Sequence, residues 1–154
     1  MSPASITRRD AALAGIGLLA LAAAPRAASA TTPDAMAAAI RRFMGEANAQ
    51  DGGMELDLPP LVDNGNSVTM KIAVESPMSE SDHVRRIAVF SEKNPQPNMG
   101  TFHLSPRSGR AAIETRVRLA DSQRITAIAE MSDGSYRRAS ANVIVTLAAC
   151  LEGG

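Results

Sequence analysis

The stretch that decides the fold is Val68-Thr69-Met70-Lys71-Ile72-Ala73-Val74, in which large apolar residues alternate with polar or small ones. A period of two is typical of a β-strand with one face in a core and the other in solvent. Asp63-Asn64-Gly65-Asn66, just before it, has the residue chemistry of a turn, and residues 76–82 after it are polar. The pattern predicts a half-buried strand between two loops.

The same pattern recurs along the rest of the chain. Further strands are predicted at 54–58, 84–91, 101–104, 113–119, 125–131 and 136–146. Turn chemistry separates these strands and no helical pattern lies between them, which favours an antiparallel β-sandwich over an α/β fold. The immunoglobulin cysteine pair and core tryptophan are absent, since the chain has one Cys and no Trp. The prediction of a mainly β, immunoglobulin-like sandwich therefore rests on strand number and spacing.

A helix precedes the predicted sandwich. Pro33 suits the first helical position and Thr32 suits the position that caps it. Apolar residues then recur at helical spacing: Met36, Ile40, Phe43, Met44 and Ala47. The spacing predicts a helix over 33–47 whose apolar stripe packs on the domain or on a partner, in preference to a separate binding helix.

The first thirty residues have the order of an export signal. Thr7-Arg8-Arg9-Asp10 is followed by an uncharged stretch, 11–24, and then by Ala28-Ser29-Ala30, a small-x-small cleavage site. The paired arginines indicate the twin-arginine pathway and a periplasmic protein. An N-terminal membrane anchor is the alternative, but the apolar stretch is shorter than the roughly 20 residues of a membrane span.

These patterns divide the chain into a signal peptide (1–30), an N-terminal helix (31–50), a sandwich (51–147) and a short, flexible C-terminal arm (148–154). The chain has 16 basic and 16 acidic residues. The signal holds three arginines and one aspartate, so the remainder carries a net charge of about −2. The chain also has only one Tyr and no Trp. Because both the positive charge and the aromatic residues are lacking, neither nucleic acid nor an anionic membrane is expected as a partner.

Signatures of catalysis are missing from the sequence. It has no glycine-rich phosphate loop and no HExxH, GxSxG or CxxC motif. His83 and His103 lie in different segments and read as ordinary surface or strand-edge residues, so no catalytic, cofactor or metal site is predicted. Arginines are dense from 107 to 124. They indicate either a solvated sheet face or a surface that binds a partner or attracts anions. The residues are Arg107, Arg110, Arg116, Arg118 and Arg124.

Cys150 is the only cysteine, and it lies in the predicted arm. An odd cysteine in an exported protein indicates an intermolecular disulfide or a free reactive thiol. Glu152 is negative and disfavours the thiolate, so activation would have to come from an enzyme that receives the arm. A carrier thiol, a disulfide tether and an incidental cysteine all remain open. The other arm residues are Ala148, Ala149, Leu151, Glu152, Gly153 and Gly154.

Several stretches together resemble the SoxY family, the sulfur-carrying subunits of the periplasmic Sox thiosulfate-oxidising system. They are Leu58-Pro59 with Asp63-Asn64-Gly65-Asn66-Ser67-Val68, Glu92-Lys93-Asn94-Pro95-Gln96-Pro97, Thr115-Arg116-Val117-Arg118-Leu119, and Ala129-Glu130-Met131-Ser132-Asp133-Gly134-Ser135. The twin-arginine signal and the strand running into a C-terminal cysteine fit as well.

The resemblance implies an immunoglobulin-like sandwich that pairs with SoxZ, a second β-sandwich protein. It implies that Cys150 carries covalent sulfur adducts and that the chain itself catalyses no step. SoxAX, a c-type cytochrome complex, would couple thiosulfate to the thiol oxidatively, and SoxB would hydrolyse the adduct to release sulfate. A sulfane dehydrogenase would oxidise the sulfane that remains.

The arm departs from the family pattern, which reads Gly-Gly-Cys-Gly-Gly. Here Ala148 and Ala149 precede the cysteine, and Leu151 and Glu152 follow it. Alanine restricts the backbone more than glycine does, and the leucine and glutamate add bulk and charge beside the thiol. The departure implies that the arm enters altered or different partner enzymes, or carries a different substrate.

Overall fold

The computed structural model describes residues 33–147. The predicted export signal, the capping role of Thr32 and the predicted C-terminal arm lie outside these residues.

Residues 33–147 form one α-helix, nine β-strands and a short 3₁₀ turn. Their bounds are α1 Pro33–Met44, β1 Ala49–Asp51, β2 Met54–Asp57, β3 Leu61–Asn64, β4 Val68–Val74, β5 Val84–Ser91, β6 Asn98–His103, the 3₁₀ turn Pro106–Ser108, β7 Ala112–Val117, β8 Gln123–Met131 and β9 Tyr136–Leu147.

The strands form two sheets, which confirms the prediction of a mainly β sandwich. The larger sheet has the order β1-β9-β8-β5-β6, with β3 also paired to β9, and the smaller has the order β2-β4-β7. Most pairings are antiparallel, but β1 and β3 run parallel to β9. The sequence pattern missed both of these strands, because they are three and four residues long and bury no side chain fully.

The helix is shorter than predicted and ends at Met44. Gly45 follows with a φ of 67°, and its N–H donates to the Arg41 carbonyl at 2.7 Å. A glycine in the left-handed region is a common helix stop, since it has no Cβ to clash. Residues 49 and 50, placed with the helical segment on sequence grounds, instead form β1 together with Asp51 at the edge of the larger sheet.

The main core lies between the two sheets. The decisive stretch, β4, buries Val68, Met70, Ile72 and Val74, while Lys71 and Ala73 face solvent. These side chains pack against apolar residues of the larger sheet: Val84, Ile87, Val89, Ile125, Ala127, Ala129, Val143 and Val145. Alternation in the sequence therefore reports the face of each strand that meets the other sheet.

A second core lies on the outer face of the larger sheet, under α1. Met36 and Ala39 of the helix pack with Phe90, Ile128 and other sheet residues. The ring of Phe43 meets that of Phe90 edge-on at 5.9 Å. This arrangement agrees with the prediction that the helix stripe packs on the domain, and it explains why β5 and β8 are buried on both faces.

An ion pair fastens the end of this helix. The Arg86 guanidinium lies 4.4 Å from the centre of the Phe43 ring and bonds to the Glu130 carboxylate. The hydrogen bond from Arg86 to Glu130 raises the pKa of the guanidinium above its usual value. Arg86 thus links the helix to β5 and β8 by a cation–π contact and a charge-assisted bond.

Within the described residues, no helix combines the length and the apolar character that a bilayer crossing requires.

Candidate functional site at the foot of the C-terminal arm

Strand β9 carries the chain to the predicted arm, and we call its last four residues, 144–147, the foot of the arm. Cys150 and the other arm residues lie outside the described residues, so the foot is the part of the predicted site that the structure shows. It is held by β3, which pairs Leu61 with Ile144 and Asn64 with Leu147.

Hydrogen bonds fix the foot on several sides. The Ile144 N–H donates to the Pro60 carbonyl at 2.9 Å, and the Thr146 hydroxyl donates to the Asp63 carbonyl at 3.0 Å. The Val145 N–H donates to the Ser122 hydroxyl oxygen, also at 2.9 Å. The chain thus leaves a strongly paired strand three residues before its only cysteine, which gives that residue a defined point of attachment.

Exposed apolar side chains lie in the foot and on the strand paired with it. Leu61, Ile144 and Leu147 are 56, 59 and 66% exposed. Leu61 and Ile144 are direct neighbours in the parallel pairing and share the outward face, because paired residues of parallel strands point to the same side. Apolar groups gathered on one surface are typical of sites that a protein partner covers.

Two loops meet beside the foot. The Gly65 N–H donates to the Leu147 carbonyl at 2.9 Å, and the Gly65 carbonyl accepts the Leu119 N–H at 2.8 Å. Residues 118–122 are therefore two backbone hydrogen bonds from the last described residue of β9. The loop 92–97, one of the stretches that resemble SoxY, is hydrogen-bonded to residues 118–123.

A buried glutamine ties these loops together. Gln123 is only 6% exposed. Its Nε2 donates to the Asn94 Oδ1 at 2.9 Å, and its Oε1 accepts the Lys93 N–H at 2.9 Å. Asn94 in turn donates to the Arg118 carbonyl at 2.8 Å and accepts the Ala120 N–H at 3.0 Å. These bonds give the region beside the foot a fixed shape.

The arginines that are dense in sequence separate in space. Arg110 lines a cavity on the small sheet together with Glu55, Asp57 and Glu114. Arg124 lies on the other sheet and lines a cavity under α1 that contains Asp51. Arg116 and Arg118 line a third cavity, of about 450 Å³, with the loop residues 94–96 and the first two residues of β6. We call this cavity the arginine cleft.

The histidines stay in separate parts of the fold. His83 precedes β5, and its Nδ1 lies 3.1 Å from the Ser79 carbonyl oxygen. His103 ends β6 and is exposed. Across residues 33–147, no three His, Cys, Asp or Glu side chains are grouped as a metal site would require. Sequence reasoning missed Leu61, Ser122 and Gln123, because each becomes part of the site only through the pairing of β3 and β8 with β9.

Comparison with known proteins identifies the fold and the family. A two-sheet sandwich of this type occurs in the sulfur carrier protein SoxY from Chlorobium limicola f thiosulfatophilum, with a TM-score of 0.62 and 23% identity over 74% of this chain and 98% of that one. It also occurs in the superoxide reductase (neelaredoxin) from Ignicoccus hospitalis, with a TM-score of 0.54 and 18% identity over 75 and 94% of the two chains. A putative superoxide reductase from Thermotoga maritima gives 0.53 and 18% over 63 and 93%.

These likenesses define the class of fold. The sequence matches no curated protein. The model of the family described as sulfur oxidation protein SoxY matches residues 40–150, which is most of the chain. The chain therefore belongs to the SoxY family, as its sequence stretches predicted. Cys150 is the last residue of that match.

Proposed function

We propose that this chain is a sulfur carrier of thiosulfate oxidation, with Cys150 as the residue that bears the cargo. The observation that carries the proposal is the position of the only cysteine: it closes the family match and follows a strand end that β3 and Ser122 hold in place. The similar fold of a protein described as a sulfur carrier supports the same role.

The chemistry assigned to Cys150 is a two-electron coupling. Thiol and thiosulfate form a sulfur–sulfur bond, R–SH + S₂O₃²⁻ → R–S–S–SO₃⁻ + H⁺ + 2e⁻, and a SoxAX-like c-type cytochrome takes the electrons. A SoxB-like hydrolase then adds water, R–S–S–SO₃⁻ + H₂O → R–S–S⁻ + SO₄²⁻ + 2H⁺. The persulfide passes to a sulfane dehydrogenase, and the chain acts as carrier and not as catalyst. It needs no cofactor.

The setting of the proposal is the periplasm, reached through the twin-arginine signal in residues 1–30. A SoxZ-like β-sandwich subunit forms the heterodimer. The paired side chains of Leu61 and Ile144 support a partner role for the foot, because both are more than half exposed and share one face.

Mass spectrometry of the intact protein tests the carrier role. Protein from cells oxidising thiosulfate should bear thiosulfonate or added sulfur on Cys150, and the Cys150→Ser variant should bear none and stop thiosulfate-dependent growth. The exposed foot also suits a second function, a binding module whose Cys150 is a disulfide tether or is incidental. Full growth of the Cys150→Ser strain, with only free thiol in the parent protein, would favour that module.

A further inference from the structure

The arginine cleft is a feature beside the foot that the carrier role does not yet use. Its walls are the loop residues 94–96, the start of β6 and the end of β7, and its charged lining residues are Arg116 and Arg118. Neither arginine forms an ion pair within residues 33–147. The Arg116 guanidinium donates to the Ser67 hydroxyl at 3.2 Å, and the side chains of both arginines are exposed at the mouth.

The charge of this lining distinguishes it from other cavities. Among the residues that the structure describes, no carboxylate lines the arginine cleft, whose remaining polar lining consists of the amides Asn94, Gln96 and Asn98. Three further cavities each include acidic residues, which compete with an anion for the basic groups: Glu55, Asp57 and Glu114 in one, Asp51 in another, and Glu55 and Glu75 in the third. Positive charge and amide donors without a carboxylate are the chemistry of an oxyanion site.

One wall of the cleft is already ordered before any ligand arrives. Asn94 is held by Gln123, Ala120 and the Arg118 carbonyl. The same Asn94–Arg118 bond fixes the backbone from which the second arginine extends. A preformed wall lowers the conformational cost of binding, because few groups must be immobilised when the ligand enters.

The cleft lies within the span of the arm. The two backbone hydrogen bonds that join Leu147 to Gly65 and Gly65 to Leu119 are 2.9 and 2.8 Å long. With the covalent bonds on either side of each, they hold Leu119 within roughly 13 Å of Leu147. The three residues from Leu147 to Cys150 can extend by about 10–11 Å. An adduct on Cys150 has the length to meet Arg118.

We propose that the arginine cleft binds the sulfonate end of sulfur oxyanions, either free thiosulfate or the thiosulfonate carried on Cys150. The arm-borne form of this inference rests on the proposed carrier function, and the free form does not. Both ligands present the same tetrahedral –SO₃⁻ group to the two guanidinium groups.

Nuclear magnetic resonance of the full chain separates the two sources. In the first measurement, the Cys150→Ser protein is titrated with thiosulfate at low ionic strength. In the second, wild-type protein is loaded with tetrathionate: the Cys150 thiolate attacks an inner sulfur, thiosulfate leaves, and Cys150 becomes R–S–S–SO₃⁻. Both are compared with the unmodified protein through the amide signals of Asn94, Gln96 and Arg118.

The matched variants remove equal charge from two places. Arg116→Gln with Arg118→Gln removes the charge of the cleft. Arg107→Gln with Arg110→Gln removes the same charge outside it.

We expect the amide signals of the cleft residues to shift in at least one of the two measurements. The first pair of substitutions should abolish the shift or weaken binding about tenfold or more, and the second should leave it nearly unchanged. The measurement in which the signals shift identifies the source of the anion.

The inference is overturned if neither ligand shifts the amide signals of the cleft. It is also overturned if both pairs of substitutions change the shifts equally, since only general surface charge would then be at work. Cellular mass spectrometry of Cys150 is independent of this result. Adducts without cleft binding would end the inference alone, and cleft binding of free thiosulfate without adducts would end the carrier role alone.

Discussion

Replacing Gln123 with methionine tests whether one buried side chain holds the region beside the foot. Methionine keeps nearly the same volume and removes every side-chain hydrogen bond of the glutamine. Three bonds are lost, to Asn94, to the Lys93 N–H and to the Asp121 carbonyl, at 2.9, 2.9 and 3.1 Å. Because Gln123 is 6% exposed, water cannot easily replace them.

The size of the effect follows from these bonds. A typical intramolecular hydrogen bond contributes about 0.5–1.5 kcal/mol net, and a donor left unsatisfied costs about 1–3 kcal/mol. Gln123→Met should therefore lower the free energy of unfolding by about 2–4 kcal/mol. A domain of this size has a stability of about 5–15 kcal/mol, so the variant should still fold. Amide protection of Lys93 should fall most.

Urea unfolding followed by far-ultraviolet circular dichroism measures the change, since the chain has no Trp. Gln96→Met is the matched control: the chemical change is the same, but Gln96 is exposed, and it is its backbone carbonyl that accepts a hydrogen bond from the Ser91 hydroxyl. The control should stay within about 0.5 kcal/mol of wild type. The reasoning fails if Gln123→Met costs less than about 1 kcal/mol or no more than the control.

Three other substitutions give further tests by urea unfolding. Phe90→Ala should cost about 3–5 kcal/mol, because the ring is fully buried between helix and sheet; a loss below about 1 kcal/mol would contradict this packing. Arg138 lowers the pKa of Asp51, so stability should fall as the pH drops below the ordinary aspartate value, and Asp51→Asn should flatten that slope. Arg86→Met should cost about 1–3 kcal/mol, with part regained when Glu130→Gln is added; no recovery would argue against the pair.

The strands that the sequence predicts are those whose side chains enter a core. β4 alternates because one face meets the other sheet. β5 and β8 carry nearly continuous apolar runs because α1 covers their second face. The outward Ala88, Phe90 and Ile128 thus indicate where a helix must lie, a signal that alternation alone does not carry.

The elements that sequence reasoning missed are held by pairing and not by burial. β1 and β3 are short, mostly exposed and parallel to β9. Their registers depend on a strand some 80 residues away in the chain, so no local pattern marks them. The same holds for the foot, where Leu61 meets Ile144 only through this pairing. Cys150 is proposed from sequence for the opposite reason, because a lone thiol can be identified without knowing which strands pair.

The contrast between the two kinds of arginine in this chain bears on what a carrier requires. Arg86 lies against Glu130, whose side chain is 12% exposed, and the pair fastens the helix. Arg116 and Arg118 are exposed, and exposed charge contacts contribute only about 0.2–1 kcal/mol each. Two such contacts would hold a sulfonate by about 0.4–2 kcal/mol, a bias of roughly two- to thirtyfold. Such a bias would favour a position near the foot and would still be small enough for the active site of a partner enzyme to overcome. A partly buried pair like Arg86 and Glu130 would hold the cargo more firmly, and a carrier must release its cargo.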